Sequence, residues 1–174
     1  MKPVYLLTGR TGTGKTSLIK QVVAGFRLKA GGFYTEEIRN SGTRLGFKLV
    51  TLDGREAVLA HIDFSKRFRV GKYGVDVTAM DSLGVPVLRH AARQDDLIII
   101  DEIGKMEMFS PAFRETVLEI IGGNKRTLGT IMLNANPWAD TIKKHPNVNL
   151  ITVSRYSYSR VLAEVQDWLQ VITN

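Results

Sequence analysis

The apolar positions of the chain predict strands that alternate with helices. Val4 to Leu7 is a short apolar run typical of a buried strand, and it ends at Gly9. Beyond Lys15 the apolar residues recur at helical spacing until Gly25; they are Leu18, Ile19, Val22 and Val23. Leu97 to Ile100 is the most apolar β-branched run, so we predict a central strand there, covered on both faces.

The second half of the chain continues this alternation. Ser110 and Pro111 form a typical helix start, a hydroxyl cap followed by proline at the first helical position, and Gly122-Gly123 ends that helix. The buried stripe of this helix is predicted to contain Phe113, Val117, Leu118 and Ile121. The elements predicted next are a strand at Leu128–Leu133, a helix at Pro137–Lys144 and a strand at Leu150–Val153. A final helix is striped by Val161, Leu162, Val165, Trp168, Leu169 and Ile172.

The middle of the chain has a different pattern of apolar and polar residues, which predicts antiparallel strands. After Gly32–Glu36, two alternating runs, Phe47–Leu52 and Glu56–Ala60, are joined through Asp53-Gly54, a pair typical of tight hairpins. We interpret His61–Lys72 as a loop that admits a short strand. Beyond it we predict a strand at Val75–Val77, and a helix that is capped by Thr78 and interrupted around Gly84 and Pro86.

These elements predict the α/β class. Strands separated by helices form a mainly parallel sheet between two helical layers, a three-layer arrangement. The antiparallel hairpin at about residues 46–60 is then an insertion. We find no internal repeat, low-complexity segment or linker, and 44% of the 174 residues are apolar. We therefore predict one domain, residues 1–174.

Composition narrows the chemistry. The chain has no cysteine, which excludes disulfides, a thiol nucleophile and a cysteine-based zinc site, and its three histidines lack metal-ligand spacing. A hard cation with oxygen ligands is the metal that remains. No apolar run approaches the roughly 20 residues that span a bilayer. We expect a soluble cytoplasmic protein with no membrane partner.

Positive charge leaves two kinds of partner open. The chain has 24 Lys and Arg against 17 Asp and Glu, a formal net charge of +7, which attracts either nucleic acid or small anions. One basic cluster comprises Lys66, Arg67, Arg69 and Lys72, and another comprises Lys143, Lys144 and His145. This scattered distribution favours a solvated surface over a nucleic-acid interface.

One segment matches a phosphate-binding pattern in full. The sequence from Gly9 to Thr16 fits G-x-x-x-x-G-K-[ST] and lies between a predicted strand and a predicted helix. Its glycines let backbone N–H groups point at phosphate oxygens beside the helix start, while Lys15 reaches the β- and γ-phosphates and Thr16 places its hydroxyl on a magnesium ion. The expected nucleotide-binding residues here are Gly9, Arg10, Thr11, Gly12, Thr13, Gly14, Lys15, Thr16 and Ser17.

Two adjacent carboxylates, Asp101 and Glu102, follow the predicted central strand. They emerge at the carboxyl edge of the sheet, where the phosphate loop also lies. We expect Asp101 to hold Mg²⁺ through water, opposite Thr16. Glu102 is expected to accept a proton from the attacking water, or to orient that water. Two such acids also occur as simple turn caps, but next to a phosphate loop the catalytic interpretation is favoured, with Lys15 and Glu102 as the catalytic pair.

Five further residues are weaker candidates. Lys105 and Glu107 are expected to contact phosphate or each other, or to form an exposed ion pair. Asn134 follows the next strand and either holds the attacking water or ends a turn. Arg155 and Arg160 flank the last loop, where an arginine either stabilises the transferring phosphoryl group or lies on the surface.

The motifs resemble those of the thermophilic-type nucleoside triphosphatases, a family that includes cancer-related nucleoside-triphosphatase. The resemblance spans nearly the whole chain. It rests on the phosphate loop, on Gly32–Glu37, on Gly71–Val75 and above all on Asp101–Glu107, which continues to Phe109–Arg114. The long acidic motif is far more specific than the phosphate loop.

The resemblance implies a RecA-like P-loop fold and magnesium-dependent hydrolysis of nucleoside triphosphates to diphosphate and phosphate, with broad tolerance of the base. It also implies a second nucleotide-contacting segment, made of Ile100, Asp101, Glu102, Ile103, Gly104 and Lys105. The chain departs from the family pattern at Thr11, where proline is frequent, and at Asn134–Asn136 and Ser159–Val161.

Two other functions use the same phosphate-binding chemistry. A nucleotide or nucleoside kinase needs an acceptor pocket, usually under a lid with several arginines, and no arginine-rich lid is evident unless Lys66–Lys72 forms one. A nucleic-acid-stimulated ATPase switch is supported only by the net charge of +7. The expected partners are therefore nucleoside triphosphates, with nucleic acid as a weaker alternative, and a monomer is expected.

Overall fold

Nine strands form one mixed sheet in the computed structural model, which describes residues 1–171. The strands are β1 (Val4–Thr8), β2 (Ala30–Asn40), β3 (Thr43–Thr51), β4 (Glu56–His61), β5 (Phe68–Val70), β6 (Tyr73–Val75), β7 (Leu97–Ile103), β8 (Arg126–Ile131) and β9 (Val148–Thr152). Their order across the sheet is β5-β6-β4-β3-β2-β7-β8-β1-β9. The predicted final-helix residue Ile172 lies outside the described residues.

The half of the sheet that contains β1 is parallel. β1 pairs with β8, with Val4 opposite Thr127, and also with β9, with Val4 opposite Val148. β7 lies between β2 and β8 and is parallel to both. Because β8 separates β1 from β7, the segments that follow β1 and β7 emerge at the same edge, two strand spacings apart.

Helices cover both faces of the parallel half. They are α1 (Lys15–Ala24), α2 (Val77–Ala79), α3 (Val85–Gln94), α4 (Pro111–Gly122), α5 (Pro137–Lys143) and α6 (Tyr158–Gln170). Ile98 and Ile100 pack in the apolar cluster that includes residues of α3, α4 and α5. Leu97 and Ile99 point the opposite way, into the cluster built with α1 and α6. β7 is therefore buried on both faces, and the predicted three-layer α/β fold is confirmed.

The antiparallel part is larger than the single hairpin that we predicted. The Asp53-Gly54 turn does join β3 to β4, and Gly54 adopts the expected positive φ of 91°. In addition, β2 continues to Asn40 and turns through Ser41-Gly42 into β3, and the β5–β6 hairpin extends the sheet beyond β4. The sequence did not predict this extension of β2, because polar residues in the outer part of the strand interrupt the apolar alternation.

The start of α2 differs from our prediction. Val77 belongs to α2 rather than to a strand, and the helix is capped by Asp76, whose carboxylate accepts the backbone N–H of Thr78. Thr78 is therefore the donor at this cap. The predicted interruption near Gly84 is a π-helix, Met80–Gly84, which runs directly into α3.

The start of α4 agrees with the sequence. The Ser110 hydroxyl accepts the backbone N–H of Phe113 at 3.0 Å, and Pro111 occupies the first helical position. A 3₁₀ turn, Glu107–Phe109, connects β7 to this cap. Among residues 1–171, no helix has the length and apolarity needed to cross a membrane.

Candidate active site

The loop between β1 and α1 has the backbone geometry that its glycines require. Gly9 has φ of 146°, and a Cβ atom at this position would lie 2.4 Å from the carbonyl oxygen of Val153. Gly14 is the N-cap of α1 and adopts a left-handed conformation, with φ of 86°. A side chain is disfavoured at both positions, so the glycines allow the loop to curl at the start of the helix.

Lys15 folds back over this loop. Its Nζ atom donates to the carbonyl oxygens of Gly9 and Arg10 at 3.0 and 2.9 Å, and it lies 3.4 Å from the Thr13 hydroxyl. Partial burial lowers the pKa of Lys15, while the charges of Glu102 and Asp101 act in the opposite direction. The ammonium group is therefore the cation that faces both carboxylates of the site.

Asp101 lies at the end of β7, and two hydroxyl groups bind its carboxylate. Thr16 donates to Oδ2 at 2.7 Å, and Thr130 on β8 donates to Oδ1 at 2.6 Å. Burial raises the pKa of Asp101, while these two hydrogen bonds and the charge of Lys15 lower it. Since each oxygen has its own donor, the carboxylate is fixed against the first turn of α1.

Glu102 follows Asp101 through a cis peptide bond. Burial and the charge of Asp101 raise the pKa of Glu102, and the charge of Lys15 opposes this shift. Within the described part of the chain, the Glu102 carboxyl group forms no hydrogen bond, so its oxygens stay available to a water molecule. A half-buried carboxyl group with a raised pKa is suited to accept a proton.

Strand β2 completes the wall beside Asp101. The Thr35 hydroxyl donates to the backbone carbonyl of Asp101 at 2.7 Å. Burial, together with the charge of Asp101, raises the pKa of Tyr34 to about 12, so its phenol stays neutral. Lys20 lies over the Tyr34 ring and forms an ion pair with Glu36 at 2.8 Å.

The donor set at Asp101 fits a magnesium ion. Thr16 Oγ1 and Asp101 Oδ2 are adjacent hard oxygen atoms, which Mg²⁺ prefers. Within residues 1–171, no group of three or more His, Cys, Asp or Glu side chains is arranged to hold a metal.

The weaker candidates Asn134, Arg155 and Arg160 are exposed, and none forms a hydrogen bond or ion pair with Lys15, Asp101 or Glu102 in the described residues. Asn134 is exposed, and its backbone carbonyl accepts Lys143 Nζ at 3.4 Å. Arg155 is exposed in the segment between Val153 and α6, and it has no hydrogen-bond or ion-pair partner within the described residues. Arg160 forms an exposed pair with Glu164 on α6 at 3.4 Å.

The alternative of an exposed Lys105–Glu107 ion pair is wrong. Lys105 is exposed, without any partner among residues 1–171, whereas Glu107 is only 4% exposed. The 3₁₀ turn after Gly104 places the two side chains apart, with Glu107 in the interior.

Sequence reasoning missed Thr130 and Thr35, and it misjudged Glu107. Thr130 is 1% exposed on β8, whose carboxyl end lies beside that of β7. A polar residue at the buried end of the strand next to an acidic one was the available signal. Thr35 belongs to the motif Gly32–Glu37, but its local pattern gave no indication of a contact with Asp101.

A phosphate loop between β1 and α1, facing a carboxylate from β7 across one intervening strand, defines the class of P-loop NTPases. The family comparison agrees with this geometry. The chain belongs to the NTPase family, whose model, described as NTPase, matches residues 4–166.

Relatives and solved structures agree with this assignment. The chain is 45% identical over 160 residues to nucleoside-triphosphatase THEP1 of Thermotoga petrophila, covering 92% of this chain and 89% of the relative. It is 35% identical to the cancer-related nucleoside-triphosphatase homolog of Bos taurus, covering 94% and 95%. The crystal structure of THEP1 from Aquifex aeolicus superposes with a TM-score of 0.88 at 34% identity, covering 95% and 98%.

Proposed function

We propose that this chain hydrolyses nucleoside 5′-triphosphates to the diphosphate and inorganic phosphate in a magnesium-dependent reaction. The observation that carries the proposal is the 2.7 Å hydrogen bond between Thr16 and Asp101, because it unites the phosphate loop with the acidic end of β7. The names of the relatives, nucleoside-triphosphatase THEP1 and cancer-related nucleoside-triphosphatase homolog, support the same reaction.

The phosphate loop binds the triphosphate in this proposal. Backbone N–H groups of Gly9 to Thr16 surround the β- and γ-phosphates, with Ser17 next to them, and the Lys15 ammonium neutralises charge that develops during transfer. Thr16 and Asp101 would hold Mg²⁺, which would supply positive charge to offset the charge of the triphosphate. Thr130 keeps the Asp101 carboxylate in the orientation that this contact needs. The segment Ile100–Lys105 contacts the nucleotide from the side opposite the phosphate loop.

Glu102 prepares the water molecule. The water oxygen forms a bond to the γ-phosphorus, the bond from that phosphorus to the β–γ bridging oxygen breaks, and the water proton passes to a Glu102 carboxylate oxygen. The raised pKa of Glu102 strengthens it as a proton acceptor. Its carboxyl group forms no hydrogen bond within the described residues, which leaves it free for this role.

Broad base tolerance is part of the proposal. The contacts that define the site surround Lys15, Thr16 and Asp101, which face the phosphates and the metal, and these groups are common to every nucleoside triphosphate. The segment after β9 adjoins the loop through Val153 and Tyr158. We assign the base to this side, where Arg155 lies exposed.

Kinase activity is the second candidate, and the cavity next to the site does not favour it. This cavity of about 420 Å³ is lined by Lys20, Tyr34 and Glu36, together with apolar residues of α1, β2 and β3. Lys20 is its single cationic lining residue and is already paired with Glu36. A nucleotide acceptor needs unpaired cations for its own phosphate, so hydrolysis is favoured over transfer to a nucleotide.

The remaining expectations are kept as proposals. We propose that the chain acts as a monomer in the cytoplasm. A nucleic-acid-stimulated switch is distinguished by adding RNA or DNA, since stimulation through phosphate contacts weakens steeply with salt.

The test is phosphate release from ATP, GTP, CTP and UTP, with and without Mg²⁺, by the purified protein and by Glu102→Gln. The matched control is Glu115→Gln, the same change at an exposed position of α4. Release from several nucleotides that requires Mg²⁺, is lost in Glu102→Gln and persists in Glu115→Gln supports the proposal. Tight nucleotide binding without phosphate release contradicts it.

A further inference from the structure

Glu107 is a buried acid that the reaction above does not use. It lies on the 3₁₀ turn after β7, five residues beyond Glu102, and is 4% exposed. No lysine or arginine forms an ion pair with it in the part of the chain that the structure describes. The nearby backbone of Gly104 and Glu107 lowers the pKa of this carboxyl group and so partly offsets the effect of burial. A buried carboxylate without a paired cation is costly, which favours the neutral form of the acid.

Gly104 brings the two glutamates together. A Cβ atom on Gly104 would lie 2.5 Å from Glu102 Oε1 and 3.0 Å from Glu107 Oε2. The two carboxyl oxygens therefore flank the same point in space, and only a residue without a side chain fits between them. This closeness arises from the turn itself, because the chain reverses at Gly104 and returns Glu107 toward the end of β7.

The surrounding charges favour different protonation states for Glu102 and Glu107. Lys15 interacts with Glu102 and Asp101, and it is not among the groups that shift the pKa of Glu107. Burial, followed by the charges of Glu102 and Asp101, raises the pKa of Glu107 well above its usual value. Like-charged carboxylates this close do not all ionise, so the resting proton belongs on Glu107. Glu102 then keeps its charge and faces Lys15.

We propose that Glu107 is a positioning residue for Glu102. In this role Glu107 is a neutral carboxylic acid that lies beside Glu102 at Gly104 and keeps the Glu102 carboxylate directed at the phosphate loop. The inference rests on the proposed function, because it assumes that Glu102 receives the proton of the attacking water. Glu107 itself touches neither water nor nucleotide in this role. It acts by removing a repelling charge and by filling the space behind Glu102.

Three substitutions test the role. Glu107→Gln keeps the length and the neutral state of the acid, and we expect kcat within about threefold of the wild-type value. Glu107→Ala leaves a space behind Glu102, and we expect kcat to fall at least tenfold with KM nearly unchanged. Gly104→Ala inserts a methyl group between the two carboxyl groups and is expected to lower kcat in the same way. Thermal unfolding and nucleotide affinity of each variant are measured in parallel.

The pH profile provides a readout that a merely structural role does not affect. As the pH rises, wild-type Glu107 ionises beside Glu102 and Asp101, and the disturbed Glu102 lowers kcat. Glutamine cannot ionise, so Glu107→Gln is expected to lack this alkaline decline. This comparison needs only the conservative variant, and it decides the question even if Glu107→Ala does not fold.

The outcomes separate the two proposals. Activity that is kept in Glu107→Gln, with the alkaline decline removed, supports the positioning role. Superimposable pH profiles, an equal loss in the glutamine and alanine variants, or wild-type kcat in Glu107→Ala overturns it. If wild-type hydrolysis and its loss in Glu102→Gln hold in the same assays, such a result overturns only the role of Glu107. Failure of those two controls overturns the proposed function itself.

Discussion

Thr130 donates its hydroxyl hydrogen to Asp101 Oδ1 across 2.6 Å, from one strand of the sheet to the next. Both residues are almost completely buried, at 1% and 2% exposure. The hydrogen bond leaves Oδ2 to Thr16, so each carboxylate oxygen has a separate partner. The orientation of the acid at the end of β7 is therefore fixed by β8 as well as by the phosphate loop.

Thr130→Val should lower the stability of the fold and raise the Mg²⁺ concentration that activity requires. Valine has nearly the same shape but no hydroxyl, so Asp101 Oδ1 loses its buried donor, at a cost of about 1–3 kcal/mol in the free energy of unfolding. We expect a higher Mg²⁺ concentration for half-maximal phosphate release. Urea unfolding and a Mg²⁺ titration measure the two effects, and Thr130→Ser, which keeps the hydroxyl, should restore both. Equal behaviour of the two variants would contradict this assignment.

Lys15→Ala should reduce nucleotide affinity at least tenfold, because the ammonium group that we propose as the partner of the β- and γ-phosphates is lost. Lys144→Ala is the matched control, since it removes the same charge from an exposed side chain that forms no hydrogen bond or ion pair in the described residues. Calorimetric titration with a non-hydrolysable triphosphate gives both dissociation constants. A similar loss in the two variants would show that net charge, rather than the loop contact, determines affinity.

The pH dependence of stability should report the buried Glu107. Its pKa is raised in the folded state, so the folded chain holds a proton that the unfolded chain releases above its ordinary value of 4.5. This contribution to stability is complete below that value and is lost as the pH rises through the folded-state pKa. Glutamine cannot ionise, so the stability of Glu107→Gln relative to the wild type should increase with pH.

Urea unfolding of both proteins at about pH 5 and pH 8 tests this sign. Asp101 and Glu102 are present in both proteins, so most of their own pH dependence cancels in the comparison. A constant difference between the two proteins over this range would mean that Glu107 does not hold a proton in the folded state.

Gly9→Ala should be strongly destabilising. The new Cβ atom would meet the Val153 carbonyl oxygen at 2.4 Å, and φ is 146°, so neither the backbone nor its neighbour accommodates it without movement. We expect a loss of more than about 1 kcal/mol, together with loss of nucleotide binding. Gly122→Ala is the control, because Gly122 is helical and nothing lies within 4 Å of its Cβ position. That variant should be neutral or slightly more stable.

The fold was predictable where local signals act alone. The β-branched run before Asp101 indicated a strand buried on both faces, and Ser110-Pro111 located the start of α4. The outer strands were less predictable, because β2 continues into polar residues and β5 has only three residues. Asp76 lies two residues before Thr78, and its carboxylate takes the capping role that we gave to Thr78.

The candidate site divides in the same way. The phosphate loop and the adjacent acids are contiguous motifs, so their spacing in sequence was sufficient to find them. Thr130 lies 29 residues from Asp101, and only the pairing of β7 with β8 brings the two together. Glu107 was misjudged because a polar residue after Lys105 resembles an exposed loop residue. Its burial depends on the chain reversal at Gly104.

The strand that leads into the phosphate loop is the first in the chain, yet both of its partners come late. β1 pairs with β8 and β9, so Val4 is opposite Thr127 and Val148. During synthesis, β1 therefore cannot pair in the sheet until most of the chain has been made. Such long-range pairing slows folding. The loop at residues 9–16 is among the first segments made and among the last to acquire its geometry. Nucleotide binding by a growing chain would thus begin only near completion, which makes it a reporter of finished folding.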